Sequence, residues 1–213
     1  MADEGPTKYP VKLHVYDLSQ GMARSLSMGL VGKQIDGIWH TGIYVYGVEY
    51  FYGGGIQREH PATIAATFGM RPVQVVDLGE TEVPESSFRE FIRGVSHRFT
   101  PATYDLFTNN CNNFTDAAAK FLTGSGIPRH IIDLPNEFLQ TPLGQMLAPM
   151  ITSMQNSMYE RMGAGDPLGG GMMGGGGGHV APPGGGASPI DLGALAGLLG
   201  GGGGLPATAA TAP

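Results

Sequence analysis

Cysteine is almost missing from this chain. A single one, Cys111, among 213 residues excludes any internal disulfide, and with six scattered histidines it leaves no Cys/His spacing that would hold zinc or another metal. Charge is also sparse: 12 Lys+Arg against 18 Asp+Glu give a net charge of −6, with no basic cluster. That balance argues against nucleic acid or an anionic membrane surface as the main partner. No run of eighteen apolar residues exists, so stable membrane insertion is not expected. The start, Met1-Ala2-Asp3-Glu4, is acidic where a secretory signal is basic. The expectation is a soluble, cytoplasmic protein, also able to be nuclear, in a reducing compartment that keeps a lone thiol usable. No cofactor motif is present.

Glycine, by contrast, is abundant and uneven. Residues 163–213 hold 20 of the 36 glycines, with Asp166 and Asp191 as the only charges. Such a segment buries too little apolar surface to offset its chain entropy, so a disordered Gly/Pro/Ala-rich tail is expected. One apolar island, residues 188–199, interrupts it; a collapsed leucine patch is the simpler reading, a docking peptide the sharper one. Residues 1–8 read as a flexible N-terminus. The folded unit is then 9–162, long enough for a proper core.

Within that unit, Val11 to Asp17 reads as a strand, and Leu18 to Leu30 as a turn and short helix broken by Gly29 and Gly32. Ile38 to Tyr46 and Val48 to Tyr52 are β-branched and aromatic-rich strands joined as a hairpin at Gly47. Gly53-Gly54-Gly55-Ile56 reads as a loop, Val73 to Leu78 as a strand and Glu85 to Arg98 as a helix with Phe88, Phe91, Ile92 and Val95 on one face. A further helix, Asp116 to Leu122, is expected to turn Phe114, Ala118, Phe121 and Leu122 inward. From Asn136 to Met162 a methionine-rich apolar stripe, interrupted by Pro142 and Pro149, is most simply helices packed on the domain. A partner groove or an export signal is the alternative.

Cys111 lies just before the Asp116 helix, in Thr108-Asn109-Asn110-Cys111-Asn112-Asn113-Phe114. A helix N-terminus favours the thiolate, so Cys111 is a candidate nucleophile. The competing reading is a buried structural cysteine, against which the four asparagines argue. A nucleophile needs a base. His40 is the best placed: in the strand containing Trp39-His40-Thr41-Gly42, period-two alternation sets Ile38, His40, Gly42 and Tyr44 on one face, and Gly42 would leave open space beside the imidazole. His14 alternates in the first strand as a half-buried residue, His60 and His130 sit in loop-like text, His97 is on a helix surface and His179 is in the glycine tract.

Several separated stretches carry a resemblance. Tyr9-Pro10-Val11-Lys12-Leu13, Val15-Tyr16-Asp17-Leu18-Ser19, Gly37-Ile38-Trp39-His40-Thr41, Glu49-Tyr50-Phe51-Tyr52-Gly53, Asn110-Cys111-Asn112, Ile132-Asp133-Leu134-Pro135 and Thr141-Pro142-Leu143-Gly144-Gln145, in this order, resemble the PPPDE family of desumoylating isopeptidases over about Tyr9 to Ile151. The resemblance implies an α+β, circularly permuted papain-like cysteine peptidase domain followed by the tail. It maps a catalytic dyad onto His40 and Cys111, and implies a homodimer acting on SUMO- or ubiquitin-conjugated proteins, SUMO favoured. The backbone N–H of Cys111 is then the natural oxyanion donor, with Asn110 or Trp39 as a second. Gly42, Gly53 and Gly54 are candidates for lining a tunnel that admits only a Gly-Gly tail. Two other readings stay open. One is a thioesterase or lipid acyl hydrolase, related to the lecithin–retinol acyltransferase group or acting as a depalmitoylase, with the same dyad; the other is a module that binds modifiers without turnover.

Overall fold

A computed structural model describes residues 6–163. The expected N-terminal extension is described only in part, and the expected tail, with its 188–199 island and His179, lies outside the described residues apart from Gly163. Five strands, β1 (Tyr9–Asp17), β2 (Trp39–Val45), β3 (Val48–Gly53), β4 (Gly55–Glu59) and β5 (Gln74–Thr81), form one antiparallel sheet in the order β4-β3-β2-β1-β5. The helices are α1 (Met22–Val31), α2 (Pro61–Phe68), α3 (Glu85–Val95), α4 (Cys111–Thr123), α5 (Arg129–Ile132), α6 (Leu134–Leu139) and α7 (Pro142–Gly163), with 3-10 turns at Ser96–Arg98 and Pro101–Thr103. The mixed α+β class expected from the sequence is what is seen.

Alternation along the strands decides which face is covered. Val11, Leu13, Val15, Ile43, Val45, Tyr50 and Tyr52 point to one side and meet Phe88 of α3 and Phe114, Ala118 and Leu122 of α4 in the main core. Phe114, fully buried, packs edge-on to Phe99 with centroids 5.4 Å apart and to Tyr52 at 6.5 Å. Phe114→Ala is expected to cost about 3–5 kcal/mol, measured by denaturant unfolding, because the surrounding rings cannot collapse into the void. Phe121, expected inward, is instead 39% exposed and stacks on Phe91 at 4.4 Å, on the rim between α3 and α4.

The β2–β3 hairpin turns on two residues with positive φ, Tyr46 at 53° and Gly47 at 81°, the mirror-image turn whose twist matches its strands. Tyr46 tolerates the left-handed backbone because its hydroxyl donates to the Val83 carbonyl at 2.6 Å and its ring packs on Tyr9.

Three departures from the sequence reading matter. The glycine run expected as a loop is the tip of a second hairpin, β3–β4, with Gly53 opposite Gly55 and Gly54 between them. The helix α2, for which no element was expected, follows the loop-like text at His60, starts on Pro61 and is capped by the His60 ring, whose Nδ1 accepts from Ala62 N at 3.2 Å. Finally, α1 passes through Gly29 and ends at Gly32, and α7 passes through Pro149. Met146 of α7 is 67% exposed, whereas Leu143, Leu147, Met150 and Ile151 are half-buried, and α7 packs against α6 and α1. The side chains of Met154 and Met158 lie outside the described residues. Among the described residues no helix is long and apolar enough to cross a membrane.

Candidate active site

Asparagine is a weak helix former in the interior and a strong one at the N-cap, and that difference places Cys111. Asn110 caps α4: its Oδ1 accepts from the backbone N–H of Asn112 at 2.8 Å and of Asn113 at 3.3 Å, and Asn113 Oδ1 accepts from Asn110 N at 2.8 Å. The reciprocal pair starts the helix at Cys111, well before the Asp116 expected from apolar periodicity. As the first helical residue, Cys111 has a backbone N–H without an intrahelical acceptor, at the positive end of the helix dipole.

The asparagines do not mark solvent. Cys111 is 4% exposed, and Asn110 and Asn112 are equally enclosed. Their amides are occupied by structure: Asn110 Nδ2 donates to Leu106 O at 2.7 Å, and Asn109 Nδ2 to the carbonyls of Arg98 and Thr103. As an oxyanion donor, Asn110 would have to use the second Nδ2 hydrogen, since the first is held by the Leu106 carbonyl.

Asn112 was not read as functional, yet it fixes the geometry. Its Nδ2 donates to the Trp39 carbonyl at 3.0 Å, and its Oδ1 accepts from Thr41 Oγ1 at 2.8 Å. It therefore grips β2 on both sides of His40. The hydroxyls of Thr41 and Thr115 lie 2.6 Å apart and repeat the tie one turn further along α4. No sequence pattern pairs residue 112 with 39 and 41, because the contact spans two elements more than seventy residues apart.

That tie sets the strand that carries His40 against the start of α4. The His40 ring is half-buried, between Tyr16 at 6.0 Å and Phe51 at 6.1 Å, and lies near enough to Cys111 for each group to shift the other's pKa. Burial pushes the thiol pKa up. The charge and hydrogen bond of His40, the Thr41 backbone and the Tyr104 hydroxyl together outweigh that, so the thiol ends below its ordinary value. His40 moves the opposite way: burial lowers its pKa, but the charge and hydrogen bond of Cys111, with the charge of Glu49, carry it above the usual imidazole value. Both shifts run toward the charged forms. Tyr104, buried in the loop before α4, is a second contributor that the sequence reading missed.

The other expected site residues divide. Trp39 adjoins the pair, its carbonyl held by Asn112 and its ring packed over Gly37, where a Cβ would collide with it. The gap expected at Gly42 is filled: the Glu49 side chain lies where a Cβ would be. Gly53 and Gly54 are at the β3–β4 tip, following Tyr52, whose hydroxyl also feels the Cys111 charge; a Cβ on Gly54 would meet nothing within 4 Å. His14 is more enclosed than expected, 8% exposed, with Nδ1 2.6 Å from Glu49 Oε2. His97 and His130 are exposed.

Comparison with known proteins agrees with this geometry in extent. The family described as "PPPDE putative peptidase domain" matches residues 9–152, which run from the first residue of β1 into α7 and include both His40 and Cys111. The chain is 49% identical to desumoylating isopeptidase 1 of Homo sapiens over 154 residues, 71% of this chain and 90% of that protein. It is 46% identical to the protein of the same name from Xenopus laevis, again over 154 residues, covering 71% and 88%. A desumoylating isopeptidase 1 homolog of Caenorhabditis elegans is 34% identical over 141 residues, 61% of this chain and 39% of that longer protein. With the match running through every strand and through the helix that presents the thiol, this chain belongs to the PPPDE peptidase family.

Proposed function

We propose that this protein is a cysteine isopeptidase that removes a ubiquitin-like modifier, SUMO in preference to ubiquitin, from substrate lysines. What supports the reading is the lone thiol at the start of α4, tied through Asn112 to the strand of His40, in a chain whose relatives are named desumoylating isopeptidases. With His40 preceding Cys111 in the chain, the domain reads as a permuted papain-like peptidase.

The Cys111 thiolate attacks the carbonyl of the modifier's terminal glycine. The resulting oxyanion is received by the Cys111 N–H at the end of the helix dipole, with Trp39 as the candidate second donor. The C–N bond to the lysine breaks as His40 gives its proton to the leaving amine, and a thioester remains. His40, now neutral, takes a proton from water, the hydroxide displaces the thiolate, and the modifier leaves with a free carboxylate. Gly53 and Gly54, at the exposed hairpin tip, are proposed to leave room for the narrow Gly-Gly tail. SUMO-conjugated proteins are the proposed substrates, and a homodimer in the cytoplasm or nucleus is the proposed working form.

Intact-protein mass after incubation with SUMO and ubiquitin bearing a C-terminal electrophile tests this. One modifier-sized adduct is expected on the wild-type chain, larger in yield with SUMO, and none on Cys111→Ala. Absence of an adduct from a folded wild-type chain would reject Gly-Gly-directed cleavage.

A further inference from the structure

The face of the sheet that carries His40 also carries a buried acid that the two-residue mechanism does not use. Glu49, on β3, is 1% exposed. Its Oε2 lies 2.6 Å from His14 Nδ1, and the Tyr16 hydroxyl donates to its two carboxylate oxygens at 3.0 and 3.1 Å. The side chain crosses Gly42, which has no Cβ to prevent it. In the β1–β2 register Tyr16 is opposite His40 and His14 opposite Gly42, and across β2–β3 Glu49 is opposite Tyr44. Tyr16 thus touches both partners: its ring packs on His40 and its hydroxyl holds the carboxylate.

A carboxylate this enclosed is costly to keep, and tying β1 to β3 across a glycine does not require a charge. His14 is the imidazole in contact with it, and His40 lies on the same sheet face, next to Gly42 and joined to the carboxylate through Tyr16. We propose that Glu49 is a positioning residue for the His40–Cys111 pair: its carboxylate, held over Gly42 by His14 and Tyr16, stabilises the His40 imidazolium. The inference rests on reading His40 and Cys111 as the reacting pair. It gives Gly42 a purpose different from lining a tunnel, namely admitting the acid.

Other titratable groups face this cluster. Lys12, His14 and Tyr16 come from β1, Asp77 of β5 pairs with Lys12, and Tyr44 of β2 stacks on His14 at 5.4 Å. Glu59 of β4 pairs with Glu49, and Cys111 and Tyr104 come from the α4 side. The helix α2, packed on Tyr16 and Phe51 through Ile64, carries no charged residue, and its cap His60 is exposed.

Because Cys111 is the only thiol, its alkylation rate by iodoacetamide against pH reads the pair directly on the full chain. The wild type is expected to show two steps, a low one as the ion pair forms and a high one as His40 loses its proton. Glu49→Gln keeps the shape and removes the charge, and should move the upper step down by about one pH unit. Gly42→Ala keeps the carboxylate but displaces it, and should move the same step in the same direction by less. If both variants are folded by circular dichroism and retain the wild-type upper step, Glu49 is structural only and the proposal is overturned. Should Glu49→Gln fail to fold, the Gly42→Ala curve decides alone. A wild-type curve that coincides with the single step of His40→Ala would instead remove the ion pair itself, and Glu49's role with it.

Discussion

Replacing His40 with alanine is expected to lower isopeptide cleavage about a thousandfold or more while leaving the melting temperature nearly unchanged. Two losses combine. Without the imidazolium, burial dominates and pushes the Cys111 pKa up, so the thiolate population near neutral pH collapses. Without the general acid, the lysine amine must leave unprotonated. The sign of the pH dependence follows from the shifts already described. Because the thiol sits below its ordinary value and the imidazole above its own, wild-type activity should rise as Cys111 ionises at acid pH and fall only as His40 loses its proton. Steady-state turnover of a SUMO–lysine conjugate across that range checks both limbs. Stability should change little, since His40 is half-buried and packs through ring edges rather than filling the main core. A variant that keeps more than about a tenth of wild-type turnover would exclude His40 as the general acid.

Asn112→Ala is the second large effect, and it acts without touching substrate. Its amide is the clasp that holds the first turn of α4 to β2 on either side of His40. Truncating it leaves the Trp39 carbonyl and the Thr41 hydroxyl without that partner, a loss of about 1–3 kcal/mol in denaturant unfolding. The separation of thiol and imidazole then rests on Thr41, Thr115 and core packing alone. A displacement of about 1 Å is enough to cost on the order of a hundredfold in kcat. The expected signature is a fall in kcat with KM little changed, together with a thiol pKa, read by alkylation, that returns upward. Asn112→Asp offers a contrast: it keeps the acceptor for Thr41 but loses the donor to Trp39, and it adds a negative charge beside the thiolate. It should raise the thiol pKa further than alanine does, because a like charge opposes ionisation.

How much of this was legible in the sequence varies residue by residue. Cys111 and His40 were singled out by local chemistry because each has a local signature, a lone thiol before a helix and an imidazole on a strand next to glycine. The helix start was misplaced because asparagine runs look like loop text. Their side chains substitute for missing backbone partners, and that is visible only once the cap closes. The strand β4, Gly-Ile-Gln-Arg-Glu, was missed because an edge strand with one solvent-facing side has little apolar alternation to show. The open space expected beside His40 at Gly42 is absent, because the Glu49 side chain occupies it. What fills it comes from a neighbouring strand, and alternation within one strand says nothing of what its neighbour contributes.

The amino-acid sequence by itself determined the alternation that sends Val11, Leu13, Val15, Ile43 and Val45 into one core, the apolar face of α3, and the choice of one thiol and one strand histidine as candidates. These follow from periodicity and residue chemistry, which are local in the chain. Tertiary structure alone decided the register that sets Tyr16 opposite His40, the clasp of Asn112 across β2, and the seat of Glu49 over Gly42. Each of those joins residues far apart in sequence, and its free energy depends on burial that exists only after the sheet and α4 have packed.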